Sequence, residues 1–210
     1  MTKKSDSQVD LWAISNQYEK EGYRLICGVD EAGRGPLAGP VCAAAVILPH
    51  GFQISGLNDS KQLSDKKRRE LYPIIMREAI SYGIAFIDEQ IIDRDNILNA
   101  TFQAMKSAVS QLWPKPDLVL VDGNRVTDFG VKAIPIVKGD TCVAAIAAAS
   151  ILAKVARDQY MEAIDAVYPQ YGFAVHKGYG TKRHYAAVRE FGLCPIHRTT
   201  FFKKFYEKQS

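Results

Sequence analysis

The sequence lacks the features of a disulfide-linked, zinc-binding or membrane-spanning protein. Its four cysteines stand far apart and form no CxxC pair, which is typical of reduced, packed thiols rather than of a disulfide framework or a zinc site. The first residues contain no apolar segment of a signal peptide. The longest apolar run, Cys142–Ala153, is shorter than the ~18 residues that a membrane span requires. We therefore expect a soluble, cytoplasmic protein.

Internal repeats, low-complexity linkers and the composition of a disordered chain are also missing. Apolar residues make up 47% and charged residues 24% of the 210 residues, and both values are ordinary for a globular protein. This length is enough for one well-buried domain with an appended end. We predict a flexible segment over residues 1–20, a main domain over residues 21–170, and a basic helical part over residues 171–210 packed on that domain. We expect a monomer.

The net charge of +4 is small, but it is unevenly distributed along the chain. Residues 171–210 contain eight Lys or Arg against two Glu, interleaved with tyrosines and phenylalanines, and the first 170 residues are slightly acidic. A basic segment with aromatic residues is typical of a surface that binds a polyanion. The alternative is a solvated terminal helix, and charge alone does not separate the two.

Apolar strand patterns and amphipathic helix patterns alternate along the chain. Strands are predicted over RLICGVD, VCAAAVILP, YGIAFID, DLVLVD and AIPIV. Helices are predicted over SDKKRRELYPIIMREAI, over residues 97–112, over CVAAIAAASILAKVARD, and as a final pair over residues 182–190 and 200–208. This order predicts an α/β fold with hairpin-like strands first and helix-separated, parallel strands later.

Four acidic residues fall at the carboxyl ends of predicted strands: Asp30, Glu31, Asp122 and Asp140. That edge of an open α/β sheet is where ligands bind, because the strands deliver side chains there. Consecutive strand residues face opposite sides of a sheet. Asp30 and Glu31 are therefore expected to share a site only if the first strand ends or twists at Glu31.

Clustered carboxylates repel one another unless a cation neutralises them. Oxygen ligands at this charge favour Mg²⁺ or Mn²⁺, and two such ions are suited to phosphodiester hydrolysis. The sequence therefore predicts a two-metal site. The alternative is that each acid caps a helix or pairs with a surface lysine, and Asp140, in GDT before a helix, has good N-cap chemistry by itself.

The segment GRGPLA, Gly33–Ala38, formally fits the dinucleotide fingerprint G-x-G-x-x-G/A. Its surroundings argue against that function, because Asp30 and Glu31 would face the pyrophosphate and Pro36 replaces a helix-opening amide. No acid stands between Glu31 and Asp59 to bind the ribose. Glycines beside an arginine instead permit close approach of the backbone to a ligand, for which we expect a nucleic-acid backbone.

Several motifs of the chain together resemble the ribonuclease HII family in order and spacing. They span Gly28 to His184 and read GVDEAGRGPLAGPV, LNDSKQLS, LVDGN, VKGD, AAASILAKVARD and HKGYGTKRH. The resemblance implies an RNase H-like fold, a mixed five-stranded sheet flanked by helices with a helical C-terminal extension. It also implies metal-binding acids at Asp30, Glu31, Asp122 and Asp140, and substrate contacts at Gly33, Arg34, Gly35 and Tyr179.

The activity implied by this resemblance is hydrolysis of the phosphodiester 5′ to a ribonucleotide, in RNA/DNA hybrids and in DNA with embedded ribonucleotides. Lys61 and Lys182 are further candidates for phosphate contacts, whereas Arg157, His184 and His197 are interpreted as structural. One alternative is a non-catalytic hybrid-binding module. Another is the sister class ribonuclease HIII, which the short segment before the first strand disfavours.

Overall fold

A computed structural model of the chain describes residues 10–52, 57 and 63–202. The predicted α/β class is confirmed. The strands are β1 Ile26–Ala32, β2 Val41–Ile47, β3 Ser81–Ile87, β4 Leu118–Asp122 and β5 Lys132–Ile136. The helices are α1 Ala13–Lys20, α2 Asp65–Glu78, α3 Glu89–Asp95, α4 Ile97–Ser110, α5 Ala144–Asp165, α6 Phe173–His176 and α7 Lys182–Phe191. Short 3-10 helices cover Gly139–Thr141, Pro169–Tyr171 and Thr199–Phe202.

The five strands form one mixed sheet in the order β3-β2-β1-β4-β5. β1 pairs antiparallel with β2, and β2 antiparallel with β3, as expected for the hairpin-like first half. β1, β4 and β5 pair in parallel, so their carboxyl ends meet at one edge of the sheet. β5 lies at one edge of the sheet and is only partly covered.

The two faces of the sheet pack against different helices. The alternate residues Cys42, Ala44 and Val46 of β2 pack with α2 and α5, whereas Ala43 and Ala45 face the core formed by α4. α5 approaches the sheet so closely that a Cβ atom on Gly28 would lie 2.2 Å from the backbone of α5. The alanine run of α5 therefore allows a close contact between helix and sheet.

Residues 10–20 are packed against the rest of the fold. The prediction of a flexible N-terminal segment is therefore wrong for this part of the chain. Leu11 is 5% exposed and belongs to the core beside α5, and α1 follows it. The Ala144 N–H donates to the Leu11 carbonyl at 3.0 Å, so this segment packs against the start of α5. Its apolar residues are too few to give a clear periodicity in the sequence.

The chain from residue 171 to 202 packs on the loop between β1 and β2. Phe173, Val188 and Phe202 form one apolar cluster with Leu37 and Ala38 of that loop. α7 agrees with the first member of the predicted final helix pair, whereas most of the second member lies outside the described residues. Within the described part of the chain, no helix is long and apolar enough to cross a membrane.

Candidate active site

A cavity of about 500 Å³ opens at the edge where the parallel strands end. It is lined by all four predicted acids, by the Gly-Arg-Gly segment and by side chains from α2, α5 and the segment before α7: Asp30, Glu31, Gly33, Arg34, Gly35, Arg68, Asp122, Asp140, Ser150, Lys154, Arg157 and Tyr179. The structure therefore brings together eight of the ten residues predicted for the site.

Asp30 is the most enclosed of the acids contributed by β1. It is 7% exposed and faces α5, where Ser150 hydrogen-bonds to it. Its Oδ1 accepts the Glu31 N–H at 2.7 Å. Burial raises the pKa of Asp30 well above its usual range, and the negative charges of Glu31 and Asp122 raise it further. The carboxylates are thus close enough to repel one another.

Glu31 lies on the opposite side of the strand, yet it lines the same cavity. The sequence predicted a shared site only if the strand ends or twists at Glu31. β1 does not end there, because Ala32 still pairs with β2. Glu31 and Asp122 stand at the open edge, where each borders both the acid cavity and a second one on the α4 side. Burial raises the pKa of Glu31, and the nearby Arg34 guanidinium, 3.3 Å from Oε1, opposes that rise.

Asp140 is placed by the 3-10 turn Gly139–Thr141 rather than by α5. α5 begins only at Ala144, and its N-cap position is Val143, which makes no side-chain cap bond. The interpretation of Asp140 as an N-cap is therefore wrong. Asp140 is 3% exposed, and its N–H donates to Oδ1 of Asp122 at 3.4 Å, which fixes the two acids beside each other.

The chemistry of these donors fits a hard divalent cation. Within the described residues, no group of three or more His, Cys, Asp or Glu side chains is already assembled around a single point as metal ligands. However, the charge of Asp122 raises the pKa of both Asp30 and Glu31 inside one cavity, and such a site gains stability from a positive ion. Oxygen donors without histidine or thiolate favour Mg²⁺ or Mn²⁺.

The loop Gly33–Pro40 is held by two buried arginines. Arg198 is fully buried, and its guanidinium donates five hydrogen bonds of 2.6–3.1 Å to the carbonyls of Gly33, Arg34, Pro36 and Gly39. Arg157 donates to the carbonyls of Ala38, Pro40 and Lys177. The structural interpretation of Arg157 is confirmed, and its bond to Lys177 joins this loop to the segment that carries Tyr179.

The two glycines of this loop have different physical roles. Gly33 has a φ of +98°, and a Cβ atom there would lie 2.0 Å from Nε of Arg157. Its missing side chain therefore makes room for the protein's own arginine, not for the close ligand approach that the sequence suggested. At Gly35 a Cβ atom would meet only Cε1 of Tyr179, at 3.7 Å. Gly35 thus leaves its space open toward the cavity.

Tyr179 extends into the cavity from a segment fixed by buried histidines. Its side chain is 47% exposed, while its carbonyl accepts from Nδ1 of His184 at 3.0 Å and its N–H donates to the His176 carbonyl at 2.9 Å. Nε2 of His184 lies 3.0 Å from Nε2 of His197. Both histidines are structural, as predicted.

Lys61 lies outside the described residues, and Lys182, although exposed at the start of α7, does not line the cavity. Arg68 of α2 and Ser150 of α5 also line the cavity, and neither was predicted for the site. Ser150 had a signal, since it is a hydroxyl within the apolar run of α5, four positions before Lys154. Arg68 looked like any charged residue on an exposed helix face.

A mixed five-stranded sheet with carboxylates gathered at the ends of its parallel strands defines the class of RNase H-like nucleases. Within that class the chain belongs to the ribonuclease HII family, whose model, described as "Ribonuclease HII", matches residues 27–204. The predicted fold and the predicted family are both confirmed.

Relatives and solved structures agree with this assignment. The chain is 56% identical over 197 residues to ribonuclease HII of Ruminiclostridium cellulolyticum, covering 94% of this chain and 77% of the relative. It is 52% identical over 194 residues to ribonuclease HII of Caldicellulosiruptor bescii, covering 92% and 94%. The crystal structure of ribonuclease H2 from Pyrococcus horikoshii superposes with a TM-score of 0.71 at 26% identity, covering 84% of this chain and 93% of that one.

Family membership establishes the general activity. The chain is a metal-dependent endonuclease with ribonuclease H activity, a hydrolase of RNA/DNA hybrids. The alternative of a non-catalytic hybrid-binding module is therefore not supported.

Proposed function

We propose that the chain cleaves the phosphodiester on the 5′ side of a ribonucleotide, in RNA/DNA hybrids and in DNA duplexes with embedded ribonucleotides. The products are a 3′-hydroxyl and a 5′-phosphate. One observation carries the proposal: a single cavity holds four carboxylates together with Gly35 and Tyr179. Acids for hydrolysis and groups for reading a sugar thus border the same space.

We infer that two Mg²⁺ or Mn²⁺ ions are held by Asp30, Glu31, Asp122 and Asp140. Such ions activate a water molecule and stabilise the leaving oxygen of a phosphodiester. The protein orients the donor atoms through the hydrogen bond of Ser150 to Asp30 and the backbone bond between Asp140 and Asp122. Donors fixed in this way lose little conformational freedom when a ligand binds.

The groups that recognise the ribonucleotide lie on the other wall of the cavity. RNA differs from DNA at one position by its 2′-hydroxyl, which both donates and accepts hydrogen bonds. Tyr179 offers a phenolic hydroxyl, and the open space beside Gly35 lets the backbone approach the sugar. Arg34 is exposed and can exchange its ion pair with Glu31 for the adjoining phosphate.

Two duplexes that differ only in their RNA content test this function. One carries a single embedded ribonucleotide and the other a long RNA tract, and both are cleaved with Mn²⁺ and with Mg²⁺. We expect the wild type to cut the first duplex only on the 5′ side of the ribonucleotide. Cutting at another position, or no cutting of the first duplex, would contradict the proposed specificity.

Substitution of Tyr179 tests the recognition step separately. Tyr179→Ala should lose most cleavage at the single ribonucleotide and less on the RNA tract, where several registers are available. Tyr179→Phe should lose the preference for the RNA-to-DNA junction. Phe191→Ala is a matched control, because this exposed aromatic on α7 lies outside the cavity. Wild-type rate and position with Tyr179→Ala would remove Tyr179 from recognition.

A further inference from the structure

A second cavity of about 360 Å³ adjoins the acid site on the α4 side of the sheet. Glu31, Arg34 and Asp122 form the boundary between the two cavities. Its remaining lining comes from α4 and from the segment after β4: Leu98, Thr101, Phe102, Met105, Gly123, Asn124 and Arg125. A ligand that leaves the acids on the side away from Tyr179 therefore enters this space.

The second cavity continues along α4 into a third depression. Phe102 lines both, and the third, of about 510 Å³, is also bordered by Arg94, Asp95 and Lys106. The three spaces thus follow one another along the surface, from Tyr179 past the acids to the middle of α4. We call the part beyond the acids the α4 groove.

The charges of the α4 groove are positive where they are not already paired. Arg94 is neutralised by Asp95, to which it donates two hydrogen bonds of 2.7 and 2.8 Å. Arg125 and Lys106 are exposed and form no ion pair with any described residue. Two uncompensated cations along a groove that opens from a phosphodiesterase centre are suited to the phosphates of the same strand.

The apolar part of the groove fits the sugars between those phosphates. Leu98 and Phe102 are partly buried and form an apolar wall, while Asn124 and Arg125 present hydrogen-bond donors on the other side. Alternating apolar and cationic contacts match the alternation of sugar and phosphate in a nucleic-acid backbone.

We propose that the α4 groove binds the sugar-phosphate backbone of the cleaved strand upstream of the cut, that is, on its 5′ side. This inference rests on the proposed function, which puts the ribonucleotide 3′ to the scissile phosphate. If Tyr179 and Gly35 hold that ribonucleotide on one side of the acids, the upstream nucleotides leave on the opposite side. Arg125 and Lys106 contact their phosphates, and Phe102 contacts the sugar between them.

Neutral linkages placed on one side of the cut test the proposal. Three duplexes contain the same single ribonucleotide: one is unmodified, one has two methylphosphonate linkages upstream in the cleaved strand, and one has two downstream. Affinity is measured by fluorescence anisotropy in EDTA, so that hydrolysis does not interfere. The wild type should bind the upstream-modified duplex about tenfold more weakly than the unmodified one, as expected for lost hydrogen bonds between charged groups.

The double variant Arg125→Ala/Lys106→Ala should bind the unmodified duplex about tenfold more weakly, and its log–log salt slope should be smaller by about two. It should be insensitive to upstream modification and as sensitive as the wild type to downstream modification. Lys20→Ala/Arg77→Ala is the matched control, because it removes two exposed charges on α1 and α2, outside the groove. This control should retain the upstream sensitivity.

The proposal is overturned if the Arg125/Lys106 double variant keeps its sensitivity to upstream neutralisation, or loses its sensitivity to downstream neutralisation instead. Both residues are exposed, so these variants should fold normally, and thermal unfolding checks this. The position of wild-type cleavage on the unmodified duplex is measured separately. A cut elsewhere would refute the proposed function, whereas the anisotropy series alone decides whether the groove holds the strand.

Discussion

The buried pair His184 and His197 allows a quantitative prediction about stability and pH. The two side chains are 0% and 3% exposed. Nδ1–H of His184 donates to the Tyr179 carbonyl, so Nε2 of His184 accepts from Nε2–H of His197. Nδ1 of His197 then accepts the Cys194 N–H at 2.9 Å. Each ring is used as donor and acceptor in its neutral form, and a further proton breaks this chain.

The effect on stability follows from the pKa of each ring. Burial lowers the pKa of His184 and of His197 from 6.5 to about 4, and no carboxylate contributes to either shift. Below about pH 6.5 the unfolded chain binds protons that the folded chain does not bind, so the free energy of unfolding falls from there down to about pH 4. Because proton binding and folding are linked, the free energy of unfolding falls by about 2 kcal/mol per ring between pH 7 and pH 5.

Urea unfolding followed by circular dichroism at pH 7 and pH 5 measures this loss. His197→Gln should be less stable than the wild type at pH 7, because it loses packing and hydrogen bonds. It should then lose about 2 kcal/mol less on acidification, since one titrating ring is gone. Carboxylates titrate alike in both proteins and cancel. An equal loss in wild type and His197→Gln would refute the reasoning.

Four further substitutions test the site and the loop beside it. Asp122→Asn should cleave about a hundredfold more slowly or worse, because bound metal contributes several kcal/mol to the stabilisation of the transition state. Its affinity for the duplex in EDTA should be unchanged. Near wild-type cleavage at saturating Mn²⁺ would exclude Asp122 from the metal site. Gly33→Ala should destabilise the fold by about 2–5 kcal/mol, because of the positive φ and the contact with Arg157. Gly35→Ala should impair cleavage but change the free energy of unfolding by about 0.5 kcal/mol or less. Equal unfolding midpoints for the two variants would contradict this distinction. Arg198→Lys should lower the free energy of unfolding by about 3 kcal/mol, since buried carbonyls lose donors, and a wild-type urea midpoint would show that the loop does not depend on the guanidinium.

The sequence was sufficient to predict where the acids meet. Asp30, Asp122 and Asp140 follow apolar strand patterns, and the parallel order of those strands sends their carboxyl ends to one edge. Local pattern could not reveal why Gly33 is a glycine, because the atoms that exclude a Cβ there belong to Arg157, far along the chain. Ser150 gave a local signal as a hydroxyl within an apolar run, but its function depends on the face of α5 that meets Asp30, and local pattern does not show which face that is.

Contacts between residues far apart in the sequence also decide which parts of the site can form before the whole chain has been synthesised. Once residue 140 has been synthesised, the chain contains all four acids and every strand of the sheet. The loop Gly33–Pro40, however, accepts bonds from Arg157, up to 119 positions later, and from Arg198, up to 165 positions later. The loop therefore cannot keep its conformation by itself, and in another protein that lacks both guanidiniums we expect it to be disordered. A nascent chain that ends before Arg198 would likewise contain the four acids without an ordered loop for the substrate.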